Sequence, residues 1–250
     1  MESLHPLEKE RAVLGALPIS MEYDKTVPLP VWQEAARNKL TELLGLPYEK
    51  CHSLFTVEYT KEHKEYTETR FTFQSEEGYT VPCHFLEPKT SRWFVPPVMI
   101  CLQGHSTGMH ISLGRAKFDG DEKTIASGDR DFAKQAIRRG ICAVTIEQRC
   151  FGERGGVPNP DCHTASLTAL LSGRTVLGGR VWDIMRLIDV LGKRFADKCD
   201  VKRIFVAGNS GGGTAAFYAA ALDTRISAVM PSCAFCTNTE FISSCFAECL

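Results

Sequence analysis

Val206-Ala207-Gly208-Asn209-Ser210-Gly211-Gly212-Gly213-Thr214 lies between two apolar runs. Before it, Arg203-Ile204-Phe205-Val206 has the pattern of a buried strand. After it, Ala215 to Leu222 has the pattern of a buried helix. Gly208, Ser210 and Gly212 form Gly-x-Ser-x-Gly at the junction. A nucleophilic serine needs such a tight strand-to-helix turn, because only there does its hydroxyl project clear of the backbone. The flanking glycines keep side chains out of the adjoining strand and helix. A helix N-terminus beside the serine adds free N–H groups and a positive dipole end for a developing oxyanion.

Two other readings of this stretch fail on residues. A phosphate-binding loop needs a lysine before its last Ser or Thr, and no lysine lies between Gly208 and Arg225. A dinucleotide fingerprint needs glycine where Ser210 stands, since a side chain there obstructs the pyrophosphate. A glycine-rich turn with an incidental serine is the remaining alternative, and the strand before and helix after favour the nucleophile elbow.

Working outward, the pattern is that of an α/β protein. Phe55, Val57 and Tyr59 alternate with polar residues, as do Phe71 and Phe73, then Tyr79, Val81, Cys83 and Phe85 after Glu76-Glu77-Gly78. These predict an antiparallel hairpin, with Pro82 at an edge or bulge. Continuous apolar runs at 98–102 and 141–146 predict strands covered on both faces. Asp131 is positioned to cap a helix ending at Gly140, and Arg180 to Gly192 has an inward face of Val181, Ile184, Met185, Ile188 and Leu191. Residues 1–30 are expected to form an irregular arm. Pro30 then opens a packing helix through Leu44 with Trp32, Ala36, Leu40 and Leu43 on one face. The organisation predicted is an arm and helix over 1–53 and a core over 54–250, with a mostly parallel sheet carrying helices on both faces.

Ligands of such sheets bind beyond the carboxyl ends of the strands. The connections there are long, from Gln103 to Arg130 and from Glu147 to Gly179, the second with a short helix capped by Asp161. After the 98–102 strand comes Gln103-Gly104-His105, where Gly104 permits a sharp turn that aims the His105 N–H at the site. With the Gly211 N–H, it supplies the two donors of an oxyanion hole.

These pieces together resemble the α/β-hydrolases of the dienelactone-hydrolase and acetyl-xylan-esterase-like group. The resemblance is carried by Leu102-Gln103-Gly104-His105, Gly128 to Ala133, Glu147 to Glu153, Gly179-Arg180-Val181-Trp182-Asp183 and Gly208 to Gly213. It covers most of the chain from about residue 30. It implies hydrolysis of a small-molecule carboxylic ester, often an acetylated carbohydrate, with no metal or organic cofactor.

The chain departs from that group at its triad, which the group orders as Ser, then acid, then His. All seven histidines (His5, His52, His63, His84, His105, His110, His163) precede Ser210, and the two further strands that carry the acid and the histidine have no counterpart here. His105, His110 and His163 lie in the long loops and are the substitute bases to weigh. After the last strand, Glu240 is the nearby acid to name besides Glu248, and it is read more simply as a solvated loop carboxylate. The expectation is therefore a serine esterase scaffold without its base, part of a longer protein. The rival is a non-catalytic hydrolase-like module that binds an acylated or sugar ligand. Site-lining candidates are Gln103, Glu147, Arg149 and Asn209, with Glu147 and Arg149 read as an ion pair or loop anchor. Trp182, Asp183 and Arg186 are expected to fix their helix against that loop, and Met109 and Phe118 are candidates for an acyl or sugar pocket.

Composition bounds the partners. A formal net charge of −1 leaves no footprint for nucleic acid or anionic membrane. No apolar run is long enough to span a bilayer, and the first ten residues lack a secretory pattern, so a cytoplasmic location is expected. Eleven cysteines, an odd number, argue against a closed disulfide framework. Cys233-x-x-Cys236 and Cys245 with Cys249 raise zinc, but their apolar surroundings favour reduced thiols and no metal. The apolar tail over 241–247 would be an aggregation liability if exposed.

Overall fold

The computed structural model describes residues 6–156 and 161–235. Where an irregular arm was expected, Pro6–Gly15 is a helix, α1. Its run Leu7-Glu8-Lys9-Glu10-Arg11-Ala12 is made of strong helix formers, with a proline at the start and Glu8 beside the positive helix end. It has no apolar stripe, which is why periodicity alone misses it. A second helix, α2 (Leu29–Leu43), packs loosely, and Arg37 reaches the carbonyl of Ala221 at 3.1 Å. Trp32, Ala36 and Leu40 are half-buried as expected. Leu43 is 62% exposed instead, and Leu44, one residue on, takes the buried place.

Seven strands form one sheet: β1 (Thr56–Glu62), β2 (Tyr66–Glu76), β3 (Tyr79–Pro88), β4 (Pro97–Leu102), β5 (Cys142–Ile146), β6 (Asp200–Asn209) and β7 (Ile226–Ser232). Their order is β1-β2-β3-β5-β4-β6-β7. The first three strands pair antiparallel, β3 joins β5 antiparallel, and β5, β4, β6 and β7 run parallel. The β2–β3 hairpin turns at Glu77-Gly78 as its sequence predicts. Pro82 does not lie on an edge strand, because β3 is interior. It is tolerated because the β3–β5 ladder stops one residue away at the Cys83–Ile146 pair, and the Pro82 carbonyl accepts the Glu147 N–H at 3.0 Å.

Helices α3 (Asp121–Ala126), α4 (Phe132–Arg138), α5 (Cys162–Leu171), α6 (Val176–Arg194) and α7 (Gly211–Leu222) fill the connections. One face of the sheet, with Phe71, Phe85, Ile100, Val144 and Val206, packs on α6 and α7 through Val181, Ile184, Leu187 and Ala215. The other, with Leu86, Met99, Cys101 and Ala143, packs on Ala133, Ala136 and Ile137 of α4. Those strands are apolar on both sides because both sides are covered. Asp131 stands at the N-cap of α4 without a capping hydrogen bond, and accepts from Gln135 at 2.9 Å. Asp161 does cap α5, accepting the Thr164 N–H at 3.2 Å. Among the described residues no helix is long and apolar enough to cross a membrane.

Candidate active site

Strand β6 ends at Asn209 and α7 begins at Gly211, so Ser210 alone makes the turn. Its backbone lies at φ 50°, ψ −125°, a left-handed conformation that costs a non-glycine residue of order 1–3 kcal/mol. The surroundings hold it there. Its N–H donates to the Ser232 carbonyl at 2.8 Å, and its own carbonyl accepts the Thr214 N–H at 2.9 Å. A Cβ on Gly208 would overlap the Gly212 carbonyl, and one on Gly212 would overlap the carbonyls of Gln103 and Leu102. Ser210 is half-buried.

The loop after β4 lies directly against this turn. A Cβ on Gly104 would stand 2.8 Å from the Asn209 carbonyl oxygen, 3.0 Å from the Ser210 Cβ and 3.1 Å from the Asn209 amide nitrogen. The glycine is therefore what lets residues 104–105 approach the elbow. The His105 imidazole lies over Gly211, its Cε1 3.1 Å from where a Cβ would be. The same ring meets Phe151 edge-on at 5.0 Å between centroids, and its Nε2 is 3.6 Å from the Cys162 sulfur. Ser210, Gly211, Gly208, Gly212, Gly104, His105 and Asn209 are thus brought together at one place.

The other candidates support the site from beneath. Gln103 is buried, and its amide donates to the Glu147 carboxylate at 3.0 Å, while its carbonyl accepts from Gln148 at 2.6 Å. Glu147 is 1% exposed and accepts the backbone N–H groups of Met109 at 3.0 Å and Glu153 at 3.3 Å. It therefore ties the loop after β4 to the loop after β5. Burial pushes its carboxyl up to about 7, against those backbone donors. Glu147 and Arg149 do not pair with each other. The chain turns at Arg149-Cys150, and Arg149 reaches Asp183 and Glu76, at 2.8 and 2.6 Å. It also stacks on Tyr79 at 4.4 Å and lines a cleft of about 690 Å³ with Tyr48, Arg154, Arg174 and Thr168.

Of the α6 residues, Asp183 grips the loop after β5, whereas Trp182 donates to the Ser75 carbonyl at 2.9 Å and Arg186 to the Cys51 carbonyl at 3.1 Å. Met109 is buried, its N–H donating to Glu147, and Phe118 is 60% exposed beside His110. His110 is bound to Asp121 at 2.8 Å and to Thr107 at 3.0 Å, and His163 is exposed. Among the described residues no side chain hydrogen-bonds the Ser210 hydroxyl, and no group of three or more His, Cys, Asp or Glu could hold a metal ion. Cys162 is disulfide-bonded, against the expectation of thiols throughout, while Cys233 is free and exposed. Cys236, Cys245, Cys249, Glu240, Glu248 and the 241–247 tail lie outside the described residues.

Sequence reading passed over Arg180. It is 2% exposed, its guanidinium lies 4.2 Å over Phe151, and its Nη1 is 3.6 Å from the Cβ position of Gly211. The available signal was its place in the Gly179-to-Asp183 piece, four residues after Val176 opens α6.

Residues 171–236 match the family model for fungal glucuronyl esterases. YtaP of Bacillus subtilis, assigned as a hydrolase, is 25% identical over 198 residues, 79% of this chain and 62% of its own. A Bacteroides fragilis protein assigned as an acetyl xylan esterase superposes with TM-score 0.74 at 18% identity, over 91% of this chain and 60% of that one. The glucuronoyl esterase of Solibacter usitatus superposes with TM-score 0.59 at 14% identity, over 87% and 64%. The chain thus spans about three fifths of the length of these relatives. Sheet order, elbow and likeness together place it in the α/β-hydrolase fold, in the form carried by proteins named as carbohydrate esterases.

Proposed function

We propose that the chain is a serine-dependent carboxylic-ester hydrolase scaffold acting on an ester of a carbohydrate, with Ser210 as nucleophile. The observation that carries this reading is the backbone of Ser210, held at φ 50° between a parallel strand and a helix N-terminus. That strain is maintained by tight glycine packing around the turn, and a serine held so is suited to present its hydroxyl to a ligand. Names among the relatives, acetyl xylan and glucuronoyl esterases, point to the carbohydrate ester.

In this reading the Ser210 oxygen adds to the acyl carbon while its proton passes to a general base. The carbonyl electron pair moves to oxygen, which the N–H groups of Gly211 and His105 receive. Collapse expels the alcohol, which takes up the proton. Water then adds to the acyl-serine in the same way and releases the acid. A serine hydroxyl without a base is a weak nucleophile near neutral pH. With none bonded to Ser210 among the described residues, slow turnover of an aryl acetate is expected of this chain.

A fluorophosphonate probe tests the assignment. It is expected to modify this chain at Ser210 alone, slowly, and Ser210→Ala is expected to abolish the adduct. Modification elsewhere, or equal modification of the alanine variant, would leave only a ligand-binding module. Brisk aryl-acetate turnover abolished by His105→Ala or His163→Ala would instead locate the base within this chain.

A further inference from the structure

Arg180 is among the largest fully buried side chains of the protein, yet among the described residues no carboxylate pairs with it. The other arginines of the neighbourhood differ. Arg149 is paired with Asp183 and Glu76, Arg154 with Asp183, Arg186 with Asp189, and Arg70 with Glu58 and Glu153. Instead, Arg180 Nε and Nη2 donate to the Arg149 carbonyl at 3.1 and 2.9 Å, and Nη2 also approaches the Cys162 sulfur at 3.5 Å. The Phe151 ring covers one face. Neutral groups of this kind offset only part of the cost of taking a cation out of water. Burial accordingly lowers its pKa to about 10, which still leaves it charged at neutral pH.

The unused part of the guanidinium has a direction. Nη1 makes no hydrogen bond to a described residue and lies 3.6 Å from the Cβ position of Gly211, the first residue of α7. The twelve-residue α7 begins at Gly211, so its free N–H groups and positive dipole end lie near Nη1, with the His105 ring 3.1 Å from the same Cβ position. A cation beside the positive end of a helix is unfavourable, and an anion bound there would relieve both. With Nε and Nη2 engaged at the Arg149 carbonyl, Nη1 offers one charge-assisted donor to a carboxylate oxygen, and a backbone N–H at the helix end can serve the other.

We propose that Arg180 and the N-terminus of α7 form a binding site for a small carboxylate at the base of the elbow. Its source is the acid that Ser210 would release by ester hydrolysis, so the identity of the ligand rests on the function proposed above. Arg180 holds the acid product in place and makes the protein sensitive to inhibition by it.

Acetate is the probe. Titrating the protein with sodium acetate against sodium chloride at equal ionic strength is expected to raise its melting temperature and to shift the Gly211 amide resonance. Arg180→Met is expected to weaken acetate binding about tenfold or more, the worth of a charge-assisted hydrogen bond. Arg180→Lys, which keeps the charge without the fork, should recover part of it. Should Arg180→Met fail to fold, the lysine variant and the Gly211 resonance decide. No acetate response beyond chloride in the wild type, or an equal response in Arg180→Met or Arg180→Lys, overturns the site and makes Arg180 a pin for the Arg149 carbonyl. Acetate binding with no fluorophosphonate adduct at Ser210 would instead sink the nucleophile while leaving the anion site standing.

Discussion

Arg180 and Asp183 are three residues apart on α6 and both are buried, but their surroundings are opposite in kind. Asp183 is the centre of a filled network, accepting from Ser75 at 2.6 Å, from Arg149 at 3.0 and 2.8 Å and from Arg154 at 2.7 Å. Burial works against its charge, but Arg154 and Arg149 outweigh that and hold its carboxyl down to about 2. The region under the elbow contains Arg180 and Glu147, each matched only by neutral groups, and there burial wins, lowering one pKa and raising the other. The matched region fastens the loop after β5 to the helix. The unmatched region lies under the loops that meet the turn at Ser210, with Arg180 beside Gly211 and Glu147 bonded to Gln103.

Removing Asp183 is the most severe way to break this contrast. Asp183→Ala leaves Arg149 and Arg154 buried beside each other with only Glu76 to answer them. The loss expected is about 3–5 kcal/mol of unfolding free energy, as when one partner of a buried pair is deleted. Urea denaturation measures it. A cost below about 1 kcal/mol, the range of exposed pairs, would show that the network is not what fastens the loop.

The next effect separates the two buried carboxylates by pH. Glu147 ionises near pH 7 in the fold but near its ordinary value when unfolded. Between roughly pH 4.5 and 7 the folded state therefore binds the extra proton, and stability falls as pH rises through that window. Above it the penalty is constant, about 3 kcal/mol at most. Asp183 behaves oppositely, since its folded pKa is depressed and its contribution is lost only as pH falls toward about 2. The stability of Glu147→Gln relative to wild type is thus expected to improve from pH 5 to pH 7 and then level off. A difference flat across that range would mean that the backbone donors, not burial, govern Glu147.

The two regions also differ in how far the sequence exposes them. The elbow is local. Gly208, Ser210 and Gly212 lie within five residues, and the steric demand of a strand-to-helix turn is written in their order. Gly104 is legible for the same reason, as a turn directly after a strand. The network is not local, because Arg149 meets Asp183 across 34 residues and Glu76 across 73. A side chain's partner at such distance is set by the fold, so Glu147 looked an equally good mate for Arg149. Sequence placed the start of α6 at Arg180, four residues late, because Gly178-Gly179 resembles a break. In the fold these glycines are contact points, Gly178 against the Leu44 carbonyl and Gly179 2.8 Å from the Arg149 side chain. Thr175, whose hydroxyl accepts the Gly178 N–H at 2.8 Å, was the cap to look for.

The finest distinction is carried by the stability of Arg180→Met, apart from any ligand. If Arg180 were a structural cation like Arg149, its removal would strand hydrogen-bond acceptors and cost several kcal/mol. Among the described residues it pairs with no carboxylate, and the oxygen acceptor it leaves behind is one backbone carbonyl, that of Arg149, beside the Cys162 sulfur. Methionine keeps most of the apolar stem, gives up the stacking of the guanidinium on Phe151 and removes a charge held away from water. Loss of the carbonyl's partner costs about 1–3 kcal/mol, while release of an unmatched buried cation returns a comparable amount. Denaturation is expected to place Arg180→Met within about 1 kcal/mol of wild type, on either side, in contrast to Asp183→Ala. A loss as large as that of Asp183→Ala would erase the difference between the two regions and assign Arg180 to the framework.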